Sequence, residues 1–122
     1  MDQETKGYKE LVIWQRAIEL VPKVYEITRK LPAEERFGLG DQLRRAAVSV
    51  PANIAEGQGR NHTKEFVQYL GIARGSLAEL DTLLIVAHRL GYVNETQQKN
   101  LSDQIIDIRK PLHGLIQRLQ GG

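Results

Sequence analysis

The 122-residue sequence contains no cysteine, few aromatic residues and almost no excess of one charge sign. Without cysteine the chain has no disulfide bond and no thiolate metal ligand, which fits a reducing compartment, so we expect a cytoplasmic protein. Aromatic residues make up only 6% of the chain, and aliphatic residues carry the apolar content, as is usual in helical bundles. Seventeen basic and 15 acidic side chains leave a net charge of +2, too little to indicate nucleic-acid binding by bulk charge.

The sequence also lacks a long apolar run and a targeting pattern. No stretch approaches the ~18 apolar residues that a membrane-spanning helix requires. The first residues, Met-Asp-Gln-Glu-Thr-Lys, show no basic segment followed by an apolar one, so we expect no secretion signal. Hydrophobic residues at 41% and charged residues at 26% are typical of a folded domain, and the length predicts a single domain over residues 1–122.

Four segments of the chain repeat apolar residues every three or four positions, a spacing that places them on one face of an α-helix. We predict helices over about residues 8–31, 39–57, 63–90 and 95–119. Since the connections between them are short, successive helices are expected to be antiparallel. The predicted fold is therefore all-α, an up-down-up-down four-helix bundle.

The apolar stripes predict the core. In the first helix we expect the stripe to comprise Leu11, Trp14, Ile18, Val21, Tyr25 and Leu31, widened by Val24 and Ile27. In the second it comprises Leu39, Leu43, Ala46, Val50 and Ile54, and in the third Phe66, Leu70, Ala73, Leu77, Leu80, Leu84 and Ala87. In the fourth it comprises Leu101, Ile105, Ile108, Leu112, Leu115 and Leu119. Further apolar residues exceed what one seam needs and are expected to face copies of the same chain: Val12, Ile13, Val48, Ile72, Leu83, Val86, Ile106 and Ile116.

Proline lies inside three of the predicted helices, at Pro22, Pro51 and Pro111. Because proline lacks a backbone N–H and its ring meets the preceding turn, we expect a kink at each, or at Pro22 a helix that ends and restarts.

Glycine and small polar residues predict helix ends and close contacts. Gly57 and Gly59 are expected to end the second helix, Gly57 in the left-handed conformation, and Gly91 is expected to end the third. The segment 94–97, Asn-Glu-Thr-Gln, resembles a capping box at the start of the fourth helix. Gly71 and Gly75 each cost ~1 kcal/mol relative to alanine inside a helix, so we expect a close helix–helix crossing there.

The sequence offers little support for catalysis. A di-metal bundle site needs a Glu-x-x-His on each of two helices, and none of the three histidines has that spacing, so we expect no metal, cofactor or small-molecule substrate. Ser49 and Ser76 have no histidine near them in the chain and are expected to bond their own helix backbone. Glu56 and Glu79 would act as paired carboxylates only if the fold brought them together.

Polar residues of the second and third helices are interpreted as architectural. Arg44 and Arg45 lie about 100° apart on a helix, so they cannot both face the core. A carboxylate such as Glu56 or Glu79 would hold one guanidinium as a fixed fork and set a helix register or a subunit contact, and solvated charge is the alternative. The predicted interface or structural polar residues are Arg44, Arg45, Ser49, Asn53, Glu56 and Glu79.

Several motifs resemble one bacterial family. They are Trp14-Gln15-x-Ala17, Leu31-Pro32-x-x-Glu35-x-Phe37-Gly38-Leu39, the run Gln-Leu-Arg-Arg-Ala-Ala-Val-Ser-Val-Pro-Ala-Asn-Ile-Ala-Glu-Gly-x-Gly-Arg over 42–60, and Glu65-Phe66…Leu70-x-x-Ala73-x-Gly75-Ser76-Leu77-x-Glu79-Leu80. From about Tyr8 to Leu119 the sequence is similar to the four-helix bundle proteins encoded in intervening sequences of 23S rRNA genes. The resemblance implies an antiparallel bundle that assembles as a ring-like homopentamer. It also implies distant kinship with the accessory protein of diversity-generating retroelements, a basic pentamer that binds nucleic acid and a reverse transcriptase.

This sequence departs from the family pattern at two positions, with Phe37 where tyrosine is usual and Gly40 where a Ser/Thr cap is common. Its near-neutral charge also weakens the transfer of nucleic-acid binding from the basic relatives.

Three functional hypotheses remain. The first is a non-enzymatic, homo-oligomeric (pentameric) structural or interaction protein associated with RNA or a nucleoprotein. The alternative is a sequence-tolerant nucleic-acid-binding accessory protein whose basic stripe is repeated around the oligomer. That stripe would comprise Arg16, Lys23, Arg44, Arg45, Arg60, Lys64 and Arg74, for which solvated charge is the competing interpretation. The third is an enzyme with a polar site at Ser49, Asn53, Glu56 and Glu79.

Overall fold

The computed structural model describes residues 7–121, and within that range four α-helices and two single turns of 3₁₀ helix are present, without a strand. The helices are α1 (Val12–Arg29), α2 (Leu39–Gln58), α3 (Thr63–Arg89) and α4 (Glu95–Gly121). The 3₁₀ turns, Tyr8–Glu10 and Ala33–Glu35, precede α1 and α2. The prediction of an all-α fold is confirmed. The predicted domain also includes residues 1–6 and Gly122, which lie outside the described residues.

Each helix contacts two others: α1 and α3 both pack against α2 and against α4. A single cluster of buried apolar side chains fills the space between the four helices. The antiparallel order stays a prediction, as do the kinks. The helices run unbroken through Pro22, Pro51 and Pro111, so the suggested restart at Pro22 is wrong.

The predicted core of α2 and α3 is confirmed. Every predicted residue of α2 is buried, and in α3 only Phe66 is left partly exposed. The stripes of these two helices contain leucine or alanine at most inward positions, and their spacing of three and four residues predicts the buried face.

The predicted stripe of α1 is only partly confirmed. Val24 and Ile27 are buried as expected, and Leu11, Trp14, Val21 and Leu31 are half-buried against the core. The other buried residues of this helix, Ile13, Ala17 and Leu20, lie outside the predicted stripe, and the predicted Ile18 is 42% exposed. Apolar residues occur on two adjacent faces of α1, and both faces have the spacing of three and four residues. Contacts with α2 and α4 decide between the faces, and the sequence of α1 alone does not contain that information.

The first helix also begins and ends differently from the prediction. Leu11 has an extended backbone conformation and separates the first 3₁₀ turn from α1, and the helix ends at Arg29, two residues before the predicted end. Trp14, the only tryptophan, is half-buried against the core, and its ring contacts that of Tyr8 at a tilt of 60° with 5.3 Å between ring centroids.

In α4 the predicted stripe holds as far as Leu112 and then shifts. Leu115 and Leu119 are half-buried, and Ile116, which was expected on an outer face, is buried. A strict alternation of three and four residues has a period of 3.5, whereas the helix has 3.6 residues per turn. The core face therefore moves by about one residue over a helix of this length. Ile13 in α1 is likewise buried rather than external.

Two of the three predicted helix boundaries are confirmed. Gly91 ends α3 with φ of +83°, and its N–H donates to the carbonyl of His88 at 2.9 Å. At the start of α4, the N–H of Gln97 donates to Asn94 Oδ1 (2.8 Å) and the N–H of Asn94 donates to Gln97 Oε1 (3.0 Å), which is the reciprocal capping box. At the end of α2, the helix stops at Gln58, directly before the predicted Gly59, whereas Gly57 lies inside the helix without a positive φ and does not cap it.

Candidate interaction surfaces

A small polar cluster joins α2 to α3. The Oγ atoms of Ser49 and Ser76 lie 2.7 Å apart, and Asn53 Nδ2 donates to the Ser49 carbonyl (2.8 Å) and to its Oγ (2.9 Å). Ser76 is only 8% exposed. The prediction that each serine bonds its own helix backbone is therefore wrong, because the two hydroxyls face each other across the helix contact. No histidine or carboxylate bonds either serine within residues 7–121, so the cluster contains no base that would activate a nucleophile.

The predicted fork between an arginine of α2 and a glutamate is wrong. Arg44 Nη2 donates to the carbonyl oxygen of Arg36 at 2.9 Å, which fastens the start of α2 to the preceding 3₁₀ turn. Arg45 Nε donates to Asp41 Oδ2 at 2.9 Å, one helical turn away on the surface. Asp41 lies four residues from Arg45 on the same helix, so the two side chains meet without any tertiary contact. Arg45 therefore pairs with Asp41 rather than with Glu56 or Glu79.

Glu56 instead pairs with Arg60, whose Nη2 donates to Glu56 Oε2 at 2.7 Å and to the Tyr69 hydroxyl at 2.8 Å. The guanidinium carbon also lies 4.9 Å from the centroid of the Tyr69 ring. The charge interaction with Tyr69, followed by the hydrogen bond to Glu56, raises the pKa of Arg60. We call these three side chains the hairpin clasp, because they tie the end of α2 to the start of α3. Glu79 is exposed on α3 and no described contact joins it to Glu56.

The residues of the predicted basic stripe are spread around the molecule. Arg16 Nη1 donates to the Asp107 carbonyl and Lys23 Nζ donates to Gln104 Oε1, both at 2.8 Å, so both residues connect α1 to α4. Arg44 and Arg45 line a different groove along α2. Lys64 is exposed at the start of α3, near the hairpin clasp.

Arg74 lies in a third groove, of about 280 Å³ between α3 and α4, whose lining residues are Arg74, Arg109, Lys110 and His113. We call it the basic groove. Arg74 Nη1 lies 2.9 Å from His113 Nδ1. Of these residues, Arg74 was predicted from the sequence as a basic contact, and the three residues of α4 were not. Their spacing within one turn was visible, but the register of α4 against α3 was not.

The outward face of α3 is bare at two glycines. A Cβ atom built on Gly71 or Gly75 has no neighbouring atom within 4 Å, so the predicted close helix–helix crossing is not made within the described residues of this chain. Ile72 and Val86 are 51% and 40% exposed. They are 14 residues apart, about four helical turns, and therefore lie on the same side of α3. We call Gly71, Ile72, Gly75 and Val86 the outer α3 face.

Residues 7–121 contain neither a cluster of side chains able to bind a metal ion nor a helix able to span a membrane. Within that range, no three side chains of histidine, aspartate or glutamate lie close enough together to hold a metal ion. Across the same residues, the helices are too short or too polar for one of them to cross a membrane.

Residues 9–114, almost the whole chain, match the protein family described as "23S rRNA-intervening sequence protein". The chain belongs to this family. Membership confirms the resemblance drawn from the motifs of α2 and α3.

A solved structure shows the same fold. It is the crystal structure of a protein with unknown function from the S23 ribosomal protein family of Bacteroides thetaiotaomicron, and it superposes with a TM-score of 0.80. The two sequences are 23% identical, and the match covers 86% of this chain and 98% of the other. No curated protein matches the chain. Neither the family description nor the description of the solved structure names an enzymatic activity.

Proposed function

We propose that this member of the 23S rRNA-intervening sequence family is a non-enzymatic homo-oligomer, a pentamer, that acts as a structural and interaction protein. The outer α3 face is the observation that carries the proposal. Gly71 and Gly75 expose bare helix backbone, and nothing within the described chain uses the space beside them. Each glycine lowers the stability of the helix by about 1 kcal/mol relative to alanine. A close contact with another molecule at this face would offset that cost and explain why glycine is present.

The exposed apolar side chains on the same face support a second copy of the chain as the contacting partner. Ile72 lies between the two glycines in the sequence, and Val86 extends the apolar surface toward the end of α3. Helices that pack closely have axes about 8–10 Å apart, and glycine permits the short end of that range. A helix from a neighbouring subunit would bury both apolar side chains there.

Size-exclusion chromatography with light scattering tests the proposal. The wild type is expected to elute as a pentamer at micromolar concentration, and Gly75→Leu is expected to dissociate it, because a leucine would fill the approach to the backbone. Gly114→Leu is the matched control, since the built Cβ of Gly114 in α4 meets only the flexible end of Arg118, at 3.6 Å. A monomeric wild type, or a Gly75→Leu variant that stays pentameric, would contradict the proposal.

A second candidate function is sequence-tolerant nucleic-acid binding, and the basic groove is the observation that favours it. Its positive side chains come from two helices, and a ring of subunits would repeat the groove. Affinity for RNA should then fall steeply as salt rises. Lack of binding at about 50 mM salt, where the Debye length is longer than at physiological ionic strength, would contradict this function.

A further inference from the structure

The basic groove concentrates positive charge without a carboxylate in contact. Arg74 approaches from α3, and Arg109 and Lys110 approach from successive positions of α4. Among residues 7–121, none of the ion pairs within 4 Å involves a side chain of the groove. Those pairs are Arg29–Glu26, Arg45–Asp41, Arg60–Glu56 and Lys99–Asp103.

His113 fixes the direction of Arg74 without neutralising it. A guanidinium can only donate hydrogen bonds, so His113 Nδ1 accepts the bond from Arg74 Nη1. A carboxylate in the same place would have cancelled the charge of Arg74. The contact uses one of the five N–H donors of the guanidinium, and the guanidinium group keeps its full positive charge.

The size of the groove and the charges of its four side chains indicate a small anionic ligand. A volume of about 280 Å³ has room for a tetrahedral oxyanion with several waters, since a water molecule occupies about 30 Å³ in the liquid. Arginine forks match the oxygens of phosphate in pairs, and lysine adds a point charge. Three cations from two helices suit a phosphate group better than a single carboxylate.

We propose that the basic groove is a phosphate-binding site. Arg74, Arg109 and Lys110 contact phosphate oxygens, and His113 is a positioning residue that orients Arg74. The phosphodiester groups of RNA and free inorganic phosphate share this chemistry. The assignment of RNA as the source of the bound phosphate rests on the second candidate function above. The phosphate-binding site itself does not depend on that function.

The first measurement is fluorescence anisotropy with a labelled, mixed-sequence single-stranded RNA over a salt series. Arg109→Gln/Lys110→Gln is expected to weaken binding at least tenfold at about 50 mM salt. The slope of log affinity against log salt should become shallower by about 0.7 for each phosphate group that the variant no longer neutralises. The matched control, Arg29→Gln/Lys99→Gln, removes the same charge from ion-paired surface positions outside the predicted basic stripe and should change the affinity less than twofold.

The second measurement is an NMR titration of the full chain with inorganic phosphate. We expect phosphate to shift the side-chain signals of Arg74 and His113 in the wild type and in the control, and not in Arg109→Gln/Lys110→Gln. If these shifts occur without RNA binding, free phosphate is the source. The proposal is overturned if RNA binds and both double variants weaken it equally, in which case nucleic-acid binding stands. If neither RNA nor phosphate binds, both the site and that function fall, while self-association is judged separately by light scattering.

The role of His113 has its own test. His113→Leu removes the acceptor for Arg74 and should weaken binding severalfold, whereas His113→Gln supplies an amide oxygen as acceptor and should restore it. Equal loss in the two variants would overturn the positioning role. Circular dichroism of each variant checks that the helices are retained.

Discussion

Gly57 and Gly75 are the same residue in opposite surroundings. A Cβ on Gly57 would lie 2.6 Å from the Cβ of Tyr69 and 3.0 Å from Phe66 Cδ1, because α2 and α3 touch there. A Cβ on Gly75 would meet nothing within 4 Å. The sequence alone shows two glycines inside helices. Only the fold shows that the space beside Gly57 is filled by the chain itself, whereas the space beside Gly75 is open to another molecule.

The largest effect is expected from Gly57→Ala. Overpacking costs about 1–3 kcal/mol and occasionally more, and here the neighbouring Cβ is attached to backbone that must move. The cost is therefore expected at the upper end of that range, about 3 kcal/mol. Alanine regains about 1 kcal/mol of helix propensity, so the free energy of unfolding should fall by about 2 kcal/mol. Urea denaturation followed by circular dichroism measures it. A variant as stable as the wild type would show that the α2–α3 contact is looser than described.

Gly91→Ala tests a glycine that is needed for its backbone conformation rather than for space. Its φ is +83°, and a Cβ there would meet no atom within 4 Å. A left-handed conformation costs a residue with a Cβ roughly 1–2 kcal/mol. We expect a loss of that size in the same urea experiment. Gly91→Asn is the control, because asparagine tolerates this conformation and should lose less.

Gly75→Ala should change stability in the other direction. With no atom near the added methyl group, the gain in helix propensity predicts a rise of about 1 kcal/mol in the unfolding free energy of the dissociated chain. Self-association should weaken at the same time. Denaturation at high dilution and light scattering at micromolar concentration separate the two effects. A loss of monomer stability would contradict the open surroundings of Gly75.

The smallest effect is a pH dependence at the bond between Tyr92 and Glu35. The Tyr92 hydroxyl donates to Glu35 Oε2 at 3.0 Å, and this hydrogen bond, followed by desolvation, raises the pKa of Tyr92. A raised pKa stabilises the fold at all pH values below the unfolded tyrosine value of about 10, and the contribution is lost as pH rises through the folded value. The stability difference between wild type and Tyr92→Phe should therefore shrink only in strongly alkaline solution. A difference that already vanishes at neutral pH would contradict this sign.

The fold was largely predictable because its strongest signals are local. The stripes of α2 and α3, the capping box at Asn94 and the stop at Gly91 each depend on residues a few positions apart. The phase of α1 was not predictable, since two of its faces are apolar and contacts with other helices choose between them.

The candidate sites were less predictable for the same reason. The Ser49–Ser76 contact and the basic groove each join residues on different helices, and their composition depends on helix register. Of the basic groove, Arg74 alone was named from the sequence. Arg109, Lys110 and His113 resemble any other polar turn of a helix until α3 is placed beside them.

The hairpin clasp has a consequence for the order of events during synthesis. Arg60 reaches partners only four and nine residues away in the sequence, so closing this loop costs little chain entropy. Contacts between residues near in sequence also form early, and domains begin to fold while the chain is still being made. We therefore expect α2 and α3 to pair as they leave the ribosome, before α4 packs against them. The nascent pair would then present the outer α3 face before the subunit is complete.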